Sequence, residues 1–266
     1  MTKVIPFNYF GGKFQHIDFI TKRLPMTKSY VEVFGGSAVI LINRKPSPIE
    51  TYNDINSTVV NFFECLRKYP DKLLEQIYLT PYAREEFWNC YKTINEGTDI
   101  EKARKFFVVV NQSFNGSYAR LTGWKFSQEN EINKWLNKIP NLKLIIERFR
   151  RTQISNYDFK NIFEKFNNSE TLFYCDPPYI KSLRNSGKEY DYEMTDENHI
   201  DLLDLCNKAR CKIAISGYDG KIYNKYLKDW YKSVSTEKKN GFRQSSKQEI
   251  LWTNYDPDQV NNLNLF

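Results

Sequence analysis

The chain has 266 residues, 41% hydrophobic and 16% aromatic, with a formal net charge of +7, which suits one large domain or one domain with a sizeable insertion. Five scattered cysteines with no CxxC pair point to a reducing, cytoplasmic compartment, and two distant histidines, His16 and His199, argue against a zinc site or a Ser-His-Asp triad. The N-terminus carries no signal-peptide pattern, and even the longest apolar runs, such as Phe106 to Val110, are far too short to span a membrane.

In chain order, "NYFGGKF" (8–14) places a glycine turn and a lysine ahead of the first strand. "SYVEVF" (29–34) reads as a strand, followed by Gly35-Gly36 and an apolar helical stretch, "SAVILIN". "IETYNDIN" (49–56) is a second strand ending in an acidic turn, and "TVVNFFECLRKY" is a helix. "TPYAREEFWNCYKTI" predicts a helix capped by Thr80 with Pro81 at its first position. From about 60 to 155 no strand alternation appears, and the stretch is helical, aromatic and basic. "ETLFYCD" (170–176) is the next strand, and "TDENHIDLLDLCNKA" is a helix capped by Thr195 with acids in its first turn. "CKIAIS" (211–216) and "KQEILWTNY" (247–255) complete the strands.

Alternating strands and helices predict an α/β sheet. The expected organisation is a catalytic domain from 1–60 and 155–255, a helical insertion over 61–154 and a loose polar tail over 256–266. The charge is uneven. Residues 101–151 hold 11 Lys+Arg against 4 Asp+Glu, and residues 221–247 hold 8 against 2. Two basic blocks on a less basic body suit a polyanion, nucleic acid first, although a soluble basic enzyme could carry the same total.

A strand, a Gly-Gly turn and a helix let a backbone approach a ligand closely. Asp54 follows Gly36 by 18 residues, near the spacing at which dinucleotide folds place an acid on the ribose hydroxyls. A nucleoside-containing cofactor follows, and the missing GxGxxG argues against NAD.

"DPPY" (176–179) at a strand end suits one chemistry. An exocyclic amine on a nucleobase is a poor nucleophile because its lone pair is delocalised into the ring. A carboxylate and a backbone carbonyl, each accepting one amine hydrogen, localise that lone pair. Asp176 supplies the carboxylate and Pro177 the carbonyl, while Pro178 has no N–H to compete for it. Tyr179 offers a face for an extruded base, worth about 1–3 kcal/mol.

With "NYFGGK", "EVFGGSAVIL", "NDIN" and "DPPY" in this order, nearly the whole chain resembles the Dam-like DNA adenine-N6 methyltransferases. The resemblance implies a Rossmann-like, S-adenosylmethionine-dependent methyltransferase fold with a mostly helical target-recognition insertion and no metal. It implies adenine methylation in double-stranded DNA by base flipping, and a bacterial or phage origin. A separately encoded cognate restriction endonuclease would be a natural partner. Tyr9 and Lys13 would meet the cofactor's methionine end; Glu32, Phe34, Gly35 and Gly36 would lie beneath it. Asp54 would hold its ribose. In "SNYDF", Asp158 and Phe159 would frame its adenine, and Asp176 would touch both cofactor and target. "SFNGSYARLTGWKF" (113–126) is similar to the DNA-reading loop, with Asn115, Arg120 and Lys125 as contacts. "NGSYARL" departs from the family's usual loop and leaves GATC undetermined as the target, and Val33 replaces a proline common in the first loop.

Three rivals remain. An RNA or protein amide methyltransferase is disfavoured by the basic insertion and the early GGK segment. A cytosine-carbon methyltransferase would need a nucleophilic cysteine, typically after proline, and no Pro-Cys pair occurs. A DNA-binding protein without catalysis would not need an intact Asp-Pro-Pro-Tyr.

Overall fold

The structure is a computed structural model that describes residues 3–9, 11–114, 116, 123–126, 131–183, 192–236 and 248–259. Among them, seven strands form one sheet: β1 (Ser29–Glu32), β2 (Ile49–Asn53), β3 (Thr152–Ser155), β4 (Thr171–Cys175), β5 (Lys212–Gly217), β6 (Tyr231–Val234) and β7 (Ile250–Thr253). Their order is β3-β2-β1-β4-β5-β7-β6. The first five pair in parallel, and β7 runs antiparallel between β5 and β6. This is the Rossmann-like sheet that the resemblance implies.

The sheet is covered on both faces, and side-chain alternation with period two assigns each residue to its face. Tyr30, Tyr52, Leu172, Tyr174, Ala214 and Leu251 join one apolar cluster. Val31, Phe173, Cys175, Ile213, Ile215, Ile250 and Trp252 join the other. The first face receives α1 (Ile17–Thr21), α2 (Val39–Asn43), α3 (Ser57–Lys68), α4 (Pro70–Leu79), α5 (Arg84–Lys92), α6 (Asp99–Gln112), α7 (Glu131–Leu136) and α8 (Lys138–Phe149). The second receives α9 (Phe159–Phe166), α10 (Asp196–Lys208) and α11 (Lys221–Tyr226).

Much of the high aromatic content sits at one joint. Phe63 of α3 stacks on Phe149 of α8 at 4.3 Å and meets Tyr52 of β2 at 4.8 Å. Phe7 packs edge-on against Phe62 and Phe106 at 5.2 and 5.1 Å. The helices between β2 and β3 therefore share one apolar core with the sheet. The apolar run Phe106 to Val110 lies in α6 and is buried there. No helix among the described residues is long and apolar enough to cross a membrane.

Caps explain most helix starts. Thr98 with Glu101 and Thr195 with Asn198 form reciprocal capping boxes on α6 and α10. Asn56 caps α3, and Pro70 opens α4. Thr80 is a correction. Its hydroxyl donates back to the Gln76 carbonyl at 2.6 Å, so it ends α4, and the next helix begins only at Arg84. The sequence pattern also lacks β3 and β6, which are four-residue strands on the two edges of the sheet.

Candidate active site

The strand order reverses between β1 and β4, and α9 to α11 lie on the opposite face from the earlier helices. Such a reversal opens a crevice at the carboxyl ends of the strands on either side. Here the crevice is a cavity of about 250 Å³. Tyr9, Lys13, Glu32 to Ser37, Asp54, Tyr157 to Phe159, Asp176 and Pro178 line it. Every cofactor residue expected from the sequence is among them.

The Gly-Gly loop is fixed from both sides. Gly35 N–H donates to the Asn53 carbonyl at 2.7 Å, and Gly36 N–H donates to Asp54 Oδ2 at 2.7 Å. A Cβ on Gly35 would lie 2.2 Å from the Tyr52 ring, whose hydroxyl is bonded to the Gly36 carbonyl at 2.8 Å. Gly36 has φ +47°, a left-handed conformation that favours glycine. The turn therefore demands both glycines, one for space and one for φ.

Asp54 does more than its spacing suggests. Its second oxygen accepts Asn56 N–H at 2.8 Å, so the carboxylate ties the glycine loop to the turn after β2. Burial raises its pKa, and the two backbone donors oppose that shift. Glu32 is 2% exposed, and its Oε2 accepts the Tyr30 hydroxyl at 3.0 Å and Leu41 N–H at 2.7 Å. Burial pushes its carboxyl up to about 8. Asp158 caps α9 through Lys160 N–H, and Phe159 packs on Phe34 with centroids 5.9 Å apart.

Asn53 was not singled out by the sequence. Its amide donates to the carbonyls of Val33 and Tyr157 at 2.9 and 3.0 Å and accepts Tyr157 N–H at 2.9 Å. One side chain thus joins the loops after β1, β2 and β3. Its place in "NDIN" was the available signal. Tyr192, Glu193 and Met194 also line the cavity, from the segment before α10, and nothing in their sequence marks them.

Asp176 follows β4 directly. Its Oδ1 lies 2.7 Å from Lys13 Nζ. The ammonium also donates to the Gly11 carbonyl at 3.0 Å and stands 4.7 Å from the centre of the Tyr179 ring. Burial raises the Asp176 carboxyl, and Lys13 limits the rise. Burial alone would push Lys13 toward neutrality, but Asp176 and Glu249 outweigh it and hold the ammonium above the ordinary lysine range. The Tyr179 hydroxyl donates to Glu249 at 2.6 Å, and its ring meets Tyr218 edge-on at 4.4 Å. Pro178 lines the cavity while Pro177 is buried behind it. Lys13 therefore sits at the Asp-Pro-Pro-Tyr segment, against both its acid and its ring. Glu249 is a second acid that sequence reading missed.

Of the expected DNA contacts, Asn115 and Arg120 lie outside the described residues. Lys125 pairs with the buried Glu131 at 2.8 Å and lines a second cavity of about 260 Å³ with Asn8, Lys134 and Lys138. Burial, with Lys125 adding to it, pushes the Lys138 ammonium down to about 8.

Residues 9–245 match the model of the D12 class N6 adenine-specific DNA methyltransferases. A Type II methyltransferase, M1.LlaDCHI, of Lactococcus lactis subsp. cremoris is 24% identical, the match spanning 92% of this chain and 93% of the relative. A DNA adenine methylase of Vibrio cholerae is 22% identical over 91% of this chain and 92% of its own length. The DNA N-6-adenine-methyltransferase of Escherichia phage P1 is 24% identical over 79% of this chain but only 29% of the relative. With a match running through the glycine loop, the helical stretch and Asp-Pro-Pro-Tyr, the chain belongs to the D12 class N6 adenine-specific DNA methyltransferase family.

Proposed function

We propose that the protein flips adenine out of duplex DNA and methylates its N6 amine with S-adenosylmethionine. The observation that carries this is the meeting of the glycine loop and Asp176 in one crevice at the reversal of strand order.

The residues fit the cofactor. Asp54 keeps lone pairs for the ribose hydroxyls beyond the two backbone donors it already serves. Phe34 and Phe159 offer apolar surface for an adenine, with Asp158 beside them as a polar contact. Tyr9, Lys13 and Glu32, with Gly35 and Gly36, surround the place for its methionine end. When bound, the cofactor supplies a methyl group made electrophilic by a sulfonium centre.

The chain's own groups act on the target amine. Asp176 accepts one amine hydrogen and the Pro177 carbonyl the other, which exposes the nitrogen lone pair. Asp176 is also placed to take the proton the amine loses. Tyr179 supplies the stacking face for the extruded base, whose unstacking costs a few kcal/mol. The remaining work is positioning, which requires no metal.

The helical stretch over 61–154, with Asn115, Arg120 and Lys125, is the candidate target-recognition unit, and 1–60 with 155–255 is the catalytic domain. GATC remains the candidate target. The name of the L. lactis relative supports a separately encoded cognate restriction endonuclease, and a DNA substrate supports a cytoplasmic site of action. The deciding experiment incubates the purified protein with duplex DNA and labelled S-adenosylmethionine, then maps methylated bases by sequencing. N6-methyladenine at one short motif is expected. Absence of methylated adenine, or methylation of RNA alone, overturns the reading.

A further inference from the structure

The sheet delivers a second acid to Asp-Pro-Pro-Tyr. Glu249 precedes β7, and β7 pairs antiparallel with β5, Ile250 standing opposite Gly217. The start of an antiparallel strand lies at the edge where its parallel neighbours end. Topology thus brings Glu249 to Tyr179 across 70 residues of chain.

Glu249 is 4% exposed. Its Oε1 accepts the Tyr179 hydroxyl at 2.6 Å and stands 3.9 Å from Lys13 Nζ. Lys13 in turn lies 2.7 Å from Asp176 and over the Tyr179 ring. One oxygen therefore addresses both the hydroxyl of the stacking residue and the cation that covers the acid and the ring. A buried carboxylate is costly to keep, and Leu251 and Trp252 already secure β7 in the core, so the strand does not need an acid there.

The arrangement also poses a problem that Glu249 solves. A target amine must compete with Lys13 for Asp176, and a base with the ammonium that stands over the Tyr179 ring. A buried ammonium leaves one carboxylate readily only if another receives it. Charge-assisted contacts close at about 2.7–2.9 Å, so a shift of about 1 Å carries Lys13 onto Glu249.

We infer that Glu249 is a positioning residue for methyl transfer: its Oε1 orients the Tyr179 ring and takes over the Lys13 ammonium when the target amine claims Asp176. This rests on Asp-Pro-Pro-Tyr being the catalytic segment.

The test uses the full chain with Glu249→Ala, Glu249→Gln, Tyr179→Phe, the Tyr179→Phe/Glu249→Ala double variant and Asp176→Ala. The readouts are kcat with both substrates saturating, the fluorescence of an adenine analogue at the target position, DNA affinity and thermal unfolding. Glu249→Ala should lower kcat by about 10- to 100-fold and reduce the extruded-base signal, with DNA affinity unchanged. Glu249→Gln keeps an acceptor for the Tyr179 hydroxyl but offers Lys13 no charge, so its loss should be smaller, about 3- to 10-fold. In the Tyr179→Phe background the Glu249→Ala loss should shrink, because one of its two routes is already gone.

A wild-type kcat and signal in Glu249→Ala, a Glu249→Gln loss as deep as that of Ala, or losses that simply multiply in the double variant would each overturn the inference. If Glu249→Ala fails to fold, Glu249→Gln decides: wild-type behaviour in it overturns the inference. An active Asp176→Ala would instead remove the catalytic reading, whereas an inactive one beside an unaffected Glu249→Ala sinks only the role of Glu249.

Discussion

Asp176, Glu32 and Tyr179 show how burial shapes a single residue's task. Asp176→Ala removes the proposed acceptor for the target amine and leaves Lys13 with the Gly11 carbonyl and Glu249. Turnover should fall by about two orders of magnitude or more, as when a preorganised transition-state partner is lost. DNA affinity should persist, because the basic segments are untouched; equal kcat values would show that Asp176 takes no part in the chemistry. Glu32 carries a pH signature. Its carboxyl is pushed by burial to about 8, against 4.5 for an ordinary glutamate. The folded protein therefore binds the proton more tightly than the unfolded chain. Stability from this group is fully present below pH 4.5 and is lost as pH rises through about 8. The slope in that window is at most about 1.4 kcal/mol per pH unit. Glu32→Gln keeps an oxygen for Tyr30 and Leu41 and should flatten the slope in denaturant titrations between pH 5 and 9. An unchanged slope would mean that Glu32 is not its source. For Tyr179 the fold adds a partner to the ring: the hydroxyl holds Glu249, so Tyr179→Phe loses more than an idle oxygen.

At the scale of elements, the two ends of the sheet are built differently. The carboxyl end holds the cavity, while the start of β2 holds a buried charge cluster. Glu50 accepts from Arg44 at 3.0 Å and from Arg148 of α8 at 2.8 Å, and Arg44 stacks over Tyr30 at 4.0 Å. Arg148 also donates to the Leu41 carbonyl at 2.8 Å, which ties α8 to α2. Glu50→Ala would leave the buried Arg44 and the half-buried Arg148 guanidinium groups without their anion. A loss of about 3–5 kcal/mol in chemical unfolding is expected, since breaking a buried pair strands its charge. A loss below about 1 kcal/mol would show that water or the carbonyl partners compensate.

For the molecule as a whole, charge sets how it meets DNA. The stretch from 101 to 151 supplies α6 to α8, and the stretch from 221 begins with α11. If these segments neutralise about four phosphates, affinity should fall about a hundredfold between 50 and 200 mM salt. The measurement is a binding titration at several salt concentrations with a fixed duplex. A flat dependence would place the DNA surface elsewhere. The shared aromatic core of Phe7, Phe62, Phe63, Phe106 and Phe149 also links the helical stretch to the sheet, so unfolding should show one cooperative transition.

The sequence by itself determined the chemistry and the order of its parts. An acid, two prolines and a tyrosine after an apolar strand, and an acid 18 residues beyond Gly36, are local signals, because each depends on neighbours in the chain. The central strands were legible for the same reason, being apolar on both faces. The edge strands were not: β6 has no neighbour on its outer side, is largely exposed, and so reads as a polar segment. Thr80 followed by Pro81 looked like a helix start, and only the preceding α4, whose last turn takes up the threonine hydroxyl, made it a helix end. Tertiary structure alone decided that Asp54 clamps the glycine loop, that Asn53 joins three loops, and that Lys13 sits on Asp176. It alone brought Glu249 to Tyr179. An acid next to a strand has no local mark of function, and it becomes part of a site only when an antiparallel strand begins where the parallel ones end.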